Sequence, residues 1–173
     1  MHAFAMHNQL PFDTLEPLFD LLAVSIAADI VPITGENRIL AYFGLKRINE
    51  NPRPGFAKMI PDNIQKNLNI SNLVFTIAPK INAAGRIEHA YDAVRLMLSS
   101  DDYEAVKYLN KIKKLNERRR DLDSDITDGA IEQLSEIDHS LNYTTVVYDP
   151  EWNKGVIGIV ASRLVCLLYT SPS

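Results

Sequence analysis

A single cysteine, Cys166, stands among 173 residues, which excludes an internal disulfide framework and a zinc–thiolate cluster. No stretch approaches the roughly 18 uninterrupted apolar residues of a membrane span. The first residues, Met1-His2-Ala3-Phe4-Ala5-Met6-His7, lack both the basic start and the apolar run of a secretory signal, so the default compartment is the cytoplasm. There is no excess of positive charge either: 18 Lys and Arg against 22 Asp and Glu leave a formal net charge of −4. That balance gives no global footprint for nucleic acid, although a basic groove can sit within it. What is present is an ordinary soluble composition, 46% hydrophobic and 23% charged, sufficient for one domain or two small ones. No internal repeat or low-complexity tract interrupts it.

Leu15, Leu18, Leu22 and Ile26 recur at helical spacing and predict a helix over residues 13–29, capped by Asp13 or Thr14. It stops near Asp29, because Ile30-Val31-Pro32-Ile33-Thr34-Gly35 carries a proline, β-branched residues and a glycine. A second helix is expected from Glu36-Asn37 toward Ile48, ending before the turn at Asn51-Pro52-Arg53-Pro54-Gly55. The apolar run Ser71 to Pro79 reads as a short buried strand or extended segment, and Lys80-Ile81-Asn82-Ala83-Ala84-Gly85-Arg86 fits no simple period. Helical spacing returns from His89 through Ala93, Leu96 and Met97, then breaks at Ser99-Ser100-Asp101.

Ser100 or Asp101, with Glu104, suits a capping box for the most regular stretch of the chain: Ala105, Leu109, Ile112, Leu115, Leu122, Ile126, Ala130, Leu134 and Ile137. A helix over 102–137 would be roughly 50 Å long at about 1.5 Å per residue, longer than a small domain is wide, and such a helix connects two bodies. Its block of Lys111, Lys113, Lys114, Arg118, Arg119 and Arg120 is either a solvated face or a patch that tracks phosphates. Tyr143 to Tyr148 then predicts a strand, followed by a glycine-bearing loop and a helix within Glu151 to Leu164, the opening of an α/β unit.

Three places can carry chemistry. Asp29 lies among Ala27, Ala28, Ile30 and Val31 and needs a cation or several donors; a capping or salt-bridged aspartate is the alternative to a metal ligand. Asn82 and Arg86 flank small residues that let backbone approach a ligand, and the guanidinium fork suits phosphate; a tight turn with Arg86 paired to an acid is the alternative. Gly155 and Gly158, between a predicted strand and a helix, allow backbone N–H groups to face an anion, with Ser162 and Arg163 able to add donors. The pattern lacks the Lys-Ser/Thr ending of a P-loop and the third glycine of a dinucleotide fingerprint.

In order, these segments resemble a known family. Leu22 to Pro32 with Gly35-Glu36-Asn37-Arg38 resembles the fourth motif of the DHH phosphoesterases, and Ala78 to Arg86 and Glu151 to Leu164 resemble later signatures of their RecJ-like branch, the single-stranded-DNA-specific exonucleases. The resemblance covers nearly all of residues 1–165 and implies an α/β fold. Residues 1–100 would be the C-terminal part of a DHH domain, 101–138 a long connecting helix, and 139–165 the first strand-turn-helix of a DHHA1 domain. It implies Asp29 as a ligand of Mn2+ or Mg2+, Asn82 and Arg86 as catalytic, and Gly155, Gly158, Ser162 and Arg163 as substrate-binding. The implied activity is metal-dependent removal of nucleotides from the 5′ end of single-stranded DNA in repair and recombination. The implied partners are single-stranded DNA, a single-stranded-DNA-binding protein and a helicase, with no membrane.

Departures from the family are as informative. The earlier motifs, including Asp-His-His, are absent, so the chain by itself is not expected to build a dinuclear site. Asn153 stands where many relatives carry histidine. The end, Cys166 to Ser173, resembles a translated library adapter, and 166–173 reads as a non-native tail. Two further readings stay open: a smaller phosphoesterase acting on oligonucleotides or cyclic dinucleotides, and an inactive scaffold of the same fold in a replication assembly.

Overall fold

A computed structural model of the chain describes residues 2–64, 67–137 and 144–169. Among the described residues every regular element is helical, and none of the helices is long and apolar enough to cross a membrane. After α1 (His2–His7), two short 3-10 turns at Phe12–Thr14 and Glu16–Leu18 lead into α2 (Phe19–Ala28). The predicted helix over 13–29 is thus split near Pro17, which has no N–H to give to a continuous helix. Helix α3 (Gly35–Glu50) falls where it is predicted and is followed by α4 (Pro54–Met59), whose first residue is the proline of the predicted turn.

The α/β expectation is not met in two places. Ser71 to Pro79 is not a strand: α5 (Ile70–Asn72), a π-helical stretch over Leu73–Ile77 and α6 (Ala78–Ile87) form one continuous helical segment. Asn69 caps it, its side chain accepting from the Asn72 N–H at 3.0 Å while the Asn72 side chain accepts from the Asn69 N–H at 2.9 Å. Leu73 and Ile77, four residues apart, are buried while Phe75 is 80% exposed, which is helical burial of a short apolar run that period alone cannot tell from a strand. Pro79 does not end the segment; it cannot return an N–H to the carbonyl of Phe75, and the backbone opens into the wider π turn just before it.

The second place is Tyr143 to Tyr148. Tyr143 lies outside the described residues, and 145–149 carry no regular structure, because no neighbouring backbone pairs with them among the described residues. A side chain stands in: Tyr148 donates its N–H to Gln133 Oε1 and accepts from Gln133 Nε2, both at 3.0 Å. Exposure still alternates with the period of a strand, Val146 and Tyr148 outward and Val147 packed inward.

Helix α7 (Tyr91–Met97) precedes α8 (Asp102–Ser135), whose 34 residues fall within the long helix predicted over 102–137. Its start is capped as expected: Asp101 accepts from the Glu104 N–H at 2.8 Å, and the Glu104 carboxylate accepts from the Ser100 N–H at 3.2 Å. The final helix, α9 (Ile157–Tyr169), continues through Cys166, and 170–173 lie outside the described residues.

Two cores form along α8. Ala105, Tyr108, Leu109, Ile112 and Leu115 pack with α2 and with Phe56, Leu73, Ile77 and Leu96. Ile126, Ala130 and Leu134 pack with Val156, Val160 and Leu164 and with the half-buried Trp152. Between these two apolar patches the inward stripe of α8 turns polar at Asn116, Arg119 and Asp123, and Ile87, the last residue of α6, touches both cores. Arg163 reaches this interruption through Asp123, and Arg86, bonded to the Gly155 carbonyl, lies near enough to add its charge to that of Arg119.

Candidate active site

Asp29 is the C-cap of α2 and its side chain is exposed. The next residue, Ile30, adopts a left-handed conformation with φ 51°. Its N–H reaches the Ala27 carbonyl at 3.3 Å and the Val31 N–H reaches that of Ile26 at 3.4 Å, a Schellman closure with isoleucine where glycine is usual. A β-branched residue in this region is strained by about 1–2 kcal/mol, and such strain concentrates at functional sites. Among the described residues the Asp29 carboxylate has no hydrogen-bond or ion-pair partner, so the residue closes α2 through its backbone N–H while its side chain is free of a salt bridge. Its hard oxygens suit Mg2+ or Mn2+, and the carbonyl end of α2 adds negative potential. No group of three or more His, Cys, Asp or Glu that could hold a metal occurs among the described residues, so Asp29 can supply one ligand of a metal site but not the cage.

The Asn82 to Arg86 segment is helical, not a tight turn, so Asn82 and Arg86 share a face of α6 one turn apart. Asn82 Nδ2 donates to the Ala28 carbonyl at 3.3 Å, tying α6 to the end of α2 beside Asp29. At the other end Arg86 Nη1 donates to the Gly155 carbonyl at 3.1 Å. Arg86 is therefore bonded to backbone and, among the described residues, to no acid. The contact is reciprocal in shape, because a Cβ on Gly155 would stand 2.1 Å from the Arg86 carbonyl oxygen. Only glycine allows that approach. Gly155→Ala is expected to destabilise the docking of the 152–164 segment by about 1–3 kcal/mol, the usual range for overpacking. Emission of Trp152, the single tryptophan, during denaturant unfolding measures it; an unchanged midpoint would show that the two segments are not in contact.

The loop before α9 is shaped by Asn153, whose side chain accepts from the Gly155 N–H at 2.9 Å and whose carbonyl accepts from Val156 at 2.9 Å and Ile157 at 3.2 Å. The residue that departs from the family pattern thus has a local structural task. Gly158 has open space where a Cβ would be, which leaves its backbone approachable. Ser162 Oγ donates to the Gly158 carbonyl at 3.0 Å on the exposed face of α9. Arg163 Nη2 donates to Asp123 Oδ2 at 2.7 Å.

The predicted basic block divides. Lys111 pairs with Asp92 at 3.3 Å, while Arg119 turns inward, its Nη2 donating to Asn116 Oδ1 at 3.2 Å and its Nη1 lying 3.8 Å from Asp123 Oδ2. Burial holds the Arg119 guanidinium below the usual arginine range; Asp123 opposes this, and the charges of Arg120, Arg86 and Arg163 add to it. Lys80 is likewise held below the lysine range, by burial first and then by Lys113 and Arg120. Cations from α6, α8 and α9 therefore crowd one junction, and an anion there would relieve their repulsion. Lys80 and Asp123 are not among the sequence candidates. The usable signal for Asp123 is an acid on the inward stripe of α8, four residues after Arg119 and three before Ile126.

No family model matches the chain. It is 38% identical over 171 residues to the single-stranded-DNA-specific exonuclease RecJ of Bacillus subtilis (strain 168), a match covering 96% of this chain and 21% of that protein. To the RecJ of Escherichia coli (strain K12) it is 34% identical over 163 residues, covering 91% of this chain and 28% of that protein. The crystal structure of RecJ in complex with Mg2+ from Thermus thermophilus superposes with a TM-score of 0.79 at 35% identity, covering 94% of this chain and 25% of that one. The same protein in complex with Mn2+ gives a TM-score of 0.78. The chain spans between 21% and 28% of the length of these curated relatives. Backbone and sequence agreeing over nearly the whole chain define a segment of a DHH/DHHA1-type protein. Over nearly its whole length the chain is homologous to one segment of the RecJ proteins.

Proposed function

We propose that this chain forms part of a metal-dependent exonuclease that hydrolyses single-stranded DNA from its 5′ end in repair and recombination. The supporting observation is the bridge made by α6, which ties the helix end bearing Asp29 to the Gly155 loop through Asn82 and Arg86. Residues 1–100 belong on this reading to a DHH domain, 101–138 to the connecting helix and 139–165 to the start of a DHHA1 domain, while 166–173 are foreign to the family. The extended 144–148 segment, alternating in exposure and, among the described residues, paired only by a side chain, is the first strand of the α/β domain expected in the longer protein.

In this site Asp29 supplies one hard ligand to Mn2+ or Mg2+, and the remaining ligands come from the rest of the protein. Such an ion lowers the pKa of bound water and neutralises charge on the phosphate when it is bound. Asn82 fixes the end of α2 and so the place of Asp29. Arg86 uses one N–H on Gly155 and keeps others for the scissile phosphate. Arg163 and the open backbone at Gly158, with Ser162 near it, face the strand's phosphates beyond the scissile bond. The surrounding cations favour a polyanion, and a connector of about 50 Å leaves a cleft that an unpaired strand can enter. The chemistry belongs in the cytoplasm, where a single-stranded-DNA-binding protein and a helicase would present the strand.

Arg86→Ala, in the full-length protein carrying this segment, tests the assignment. Turnover is expected to fall about a hundredfold or more, as on losing one donor to developing charge, with a much smaller loss of strand affinity. A fall in binding alone, with turnover intact at saturation, would remove Arg86 from the reacting phosphate. A strand bound without any hydrolysis in the unmodified protein would favour the scaffold reading instead.

A further inference from the structure

Asp123 is 4% exposed on the inward stripe of α8, in the polar gap between the two cores. A carboxylate so buried is costly unless it is fully paired. One of its oxygens, Oδ2, serves two arginines from different helices, Arg163 of α9 at 2.7 Å and Arg119 of α8 at 3.8 Å. The other, Oδ1, is buried without a hydrogen-bond partner among the described residues. Asn116 holds the far side of Arg119. The Arg163 side chain is 46% exposed, so its guanidinium is gripped on one edge and open on the other. An acid whose task was only to hold α8 against α9 would be expected to use both oxygens; this one gathers two like charges at a single atom.

We propose that Asp123 is a positioning residue for strand binding: it holds Arg163 beside the inward Arg119, so that the free N–H groups of Arg163 turn toward the phosphates of a single strand. The inference rests on the reading of this junction as a phosphate site. It has an electrostatic signature opposite to the obvious one. If Asp123 merely dilutes the positive field, removing its charge tightens DNA binding; if it aims the arginines, removing it weakens binding although the site becomes more positive.

The experiment measures affinity of this chain for a fluorescent, 5′-phosphorylated oligothymidylate across a salt series, with circular dichroism and Trp152 emission reporting folding. Asp123→Asn keeps the side chain's shape and removes its charge. Binding is expected to weaken about three- to tenfold, and the slope of log affinity against log salt to drop by about 0.7, the share of one phosphate contact on a single strand. Tighter or unchanged binding overturns the inference. Arg163→Lys keeps the positive charge and loses the planar fork, so it is expected to reproduce the loss, with no further loss in the double variant. Because Arg163 is half exposed, this variant carries the test even where Asp123→Asn folds poorly; affinity equal to that of the unmodified chain overturns the inference. Arg86→Glu separates the two ideas. If the unmodified chain does not bind the strand, or the reversal leaves binding intact, the phosphate-site reading falls and the role of Asp123 falls with it. If the reversal weakens binding while Asp123→Asn and Arg163→Lys do not, only the role of Asp123 is lost.

Discussion

Asp29→Ala, in the full-length protein carrying this segment, is expected to lower Mn2+-dependent hydrolysis of single-stranded DNA about a thousandfold, close to 4 kcal/mol of transition-state stabilisation, without loss of stability. Both halves follow from where the residue stands. The carboxylate is exposed and, among the described residues, touches no partner, so its removal leaves no orphaned donor. It also sits at the carbonyl end of α2, where negative charge opposes the helix dipole, so folding gains nothing from it and alanine can even raise the melting temperature slightly. An acid at an unfavourable helix end, followed by isoleucine in a left-handed conformation, supports the ligand role proposed for Asp29. Nucleotide release during a Mn2+ titration, paired with thermal melting, measures the effect. Full activity in the variant, or a loss of activity matched by a loss of folded protein, would take Asp29 out of the metal site. Asp29→Asn, which keeps the shape and weakens ligation, should fall on the same side as alanine.

Much of the framework is legible from spacing because burial on a helix is periodic. The stripe Ala105, Leu109, Ile112, Leu115, Ile126, Ala130 and Leu134 is buried as its intervals predict, and Asp101 with Glu104 closes the start of α8. The strands are the failures, for two different reasons. Leu73 to Ile77 is apolar and short, and at that length helix and strand look alike; the deciding feature is the reciprocal cap between Asn69 and Asn72. The 144–148 segment keeps a strand's alternation, but a strand exists only against a neighbour, and the chain offers it the amide of Gln133. Of the site, the convergence is hidden: nothing local in Asn82 shows that it reaches Ala28, or in Arg86 that it meets Gly155, at sequence separations of 54 and 69. Asp123 is legible only as a fault in an apolar stripe.

Asp20 supplies the contrast to Asp29 from the other end of the same helix, and Asp20→Ala is expected to cost about 3–5 kcal/mol of stability, the range for breaking one side of a buried ion pair. Its side chain is wholly buried. Oδ1 accepts from the Leu21 N–H at 2.7 Å and Oδ2 from Arg53 Nε at 2.7 Å, with Arg47 Nε at 3.8 Å. Arg53 also donates to the Pro17 carbonyl, so the carboxylate joins α2 to the residues before α4 and, through Arg47, to α3. Alanine leaves two partly exposed guanidiniums without their shared acceptor, and Arg47 Nε is already buried without a hydrogen-bond partner among the described residues. Asn at this position retains an acceptor and is expected to cost less. Urea unfolding followed by circular dichroism gives the difference directly; a midpoint within experimental scatter of the unmodified chain would mean that the three residues do not form the buried cluster described. The two aspartates then separate folding from chemistry on one helix. In the full-length protein Asp20→Ala should lose activity only in proportion to folded protein, with the metal requirement unchanged, whereas Asp29→Ala should lose the metal response in protein that remains folded.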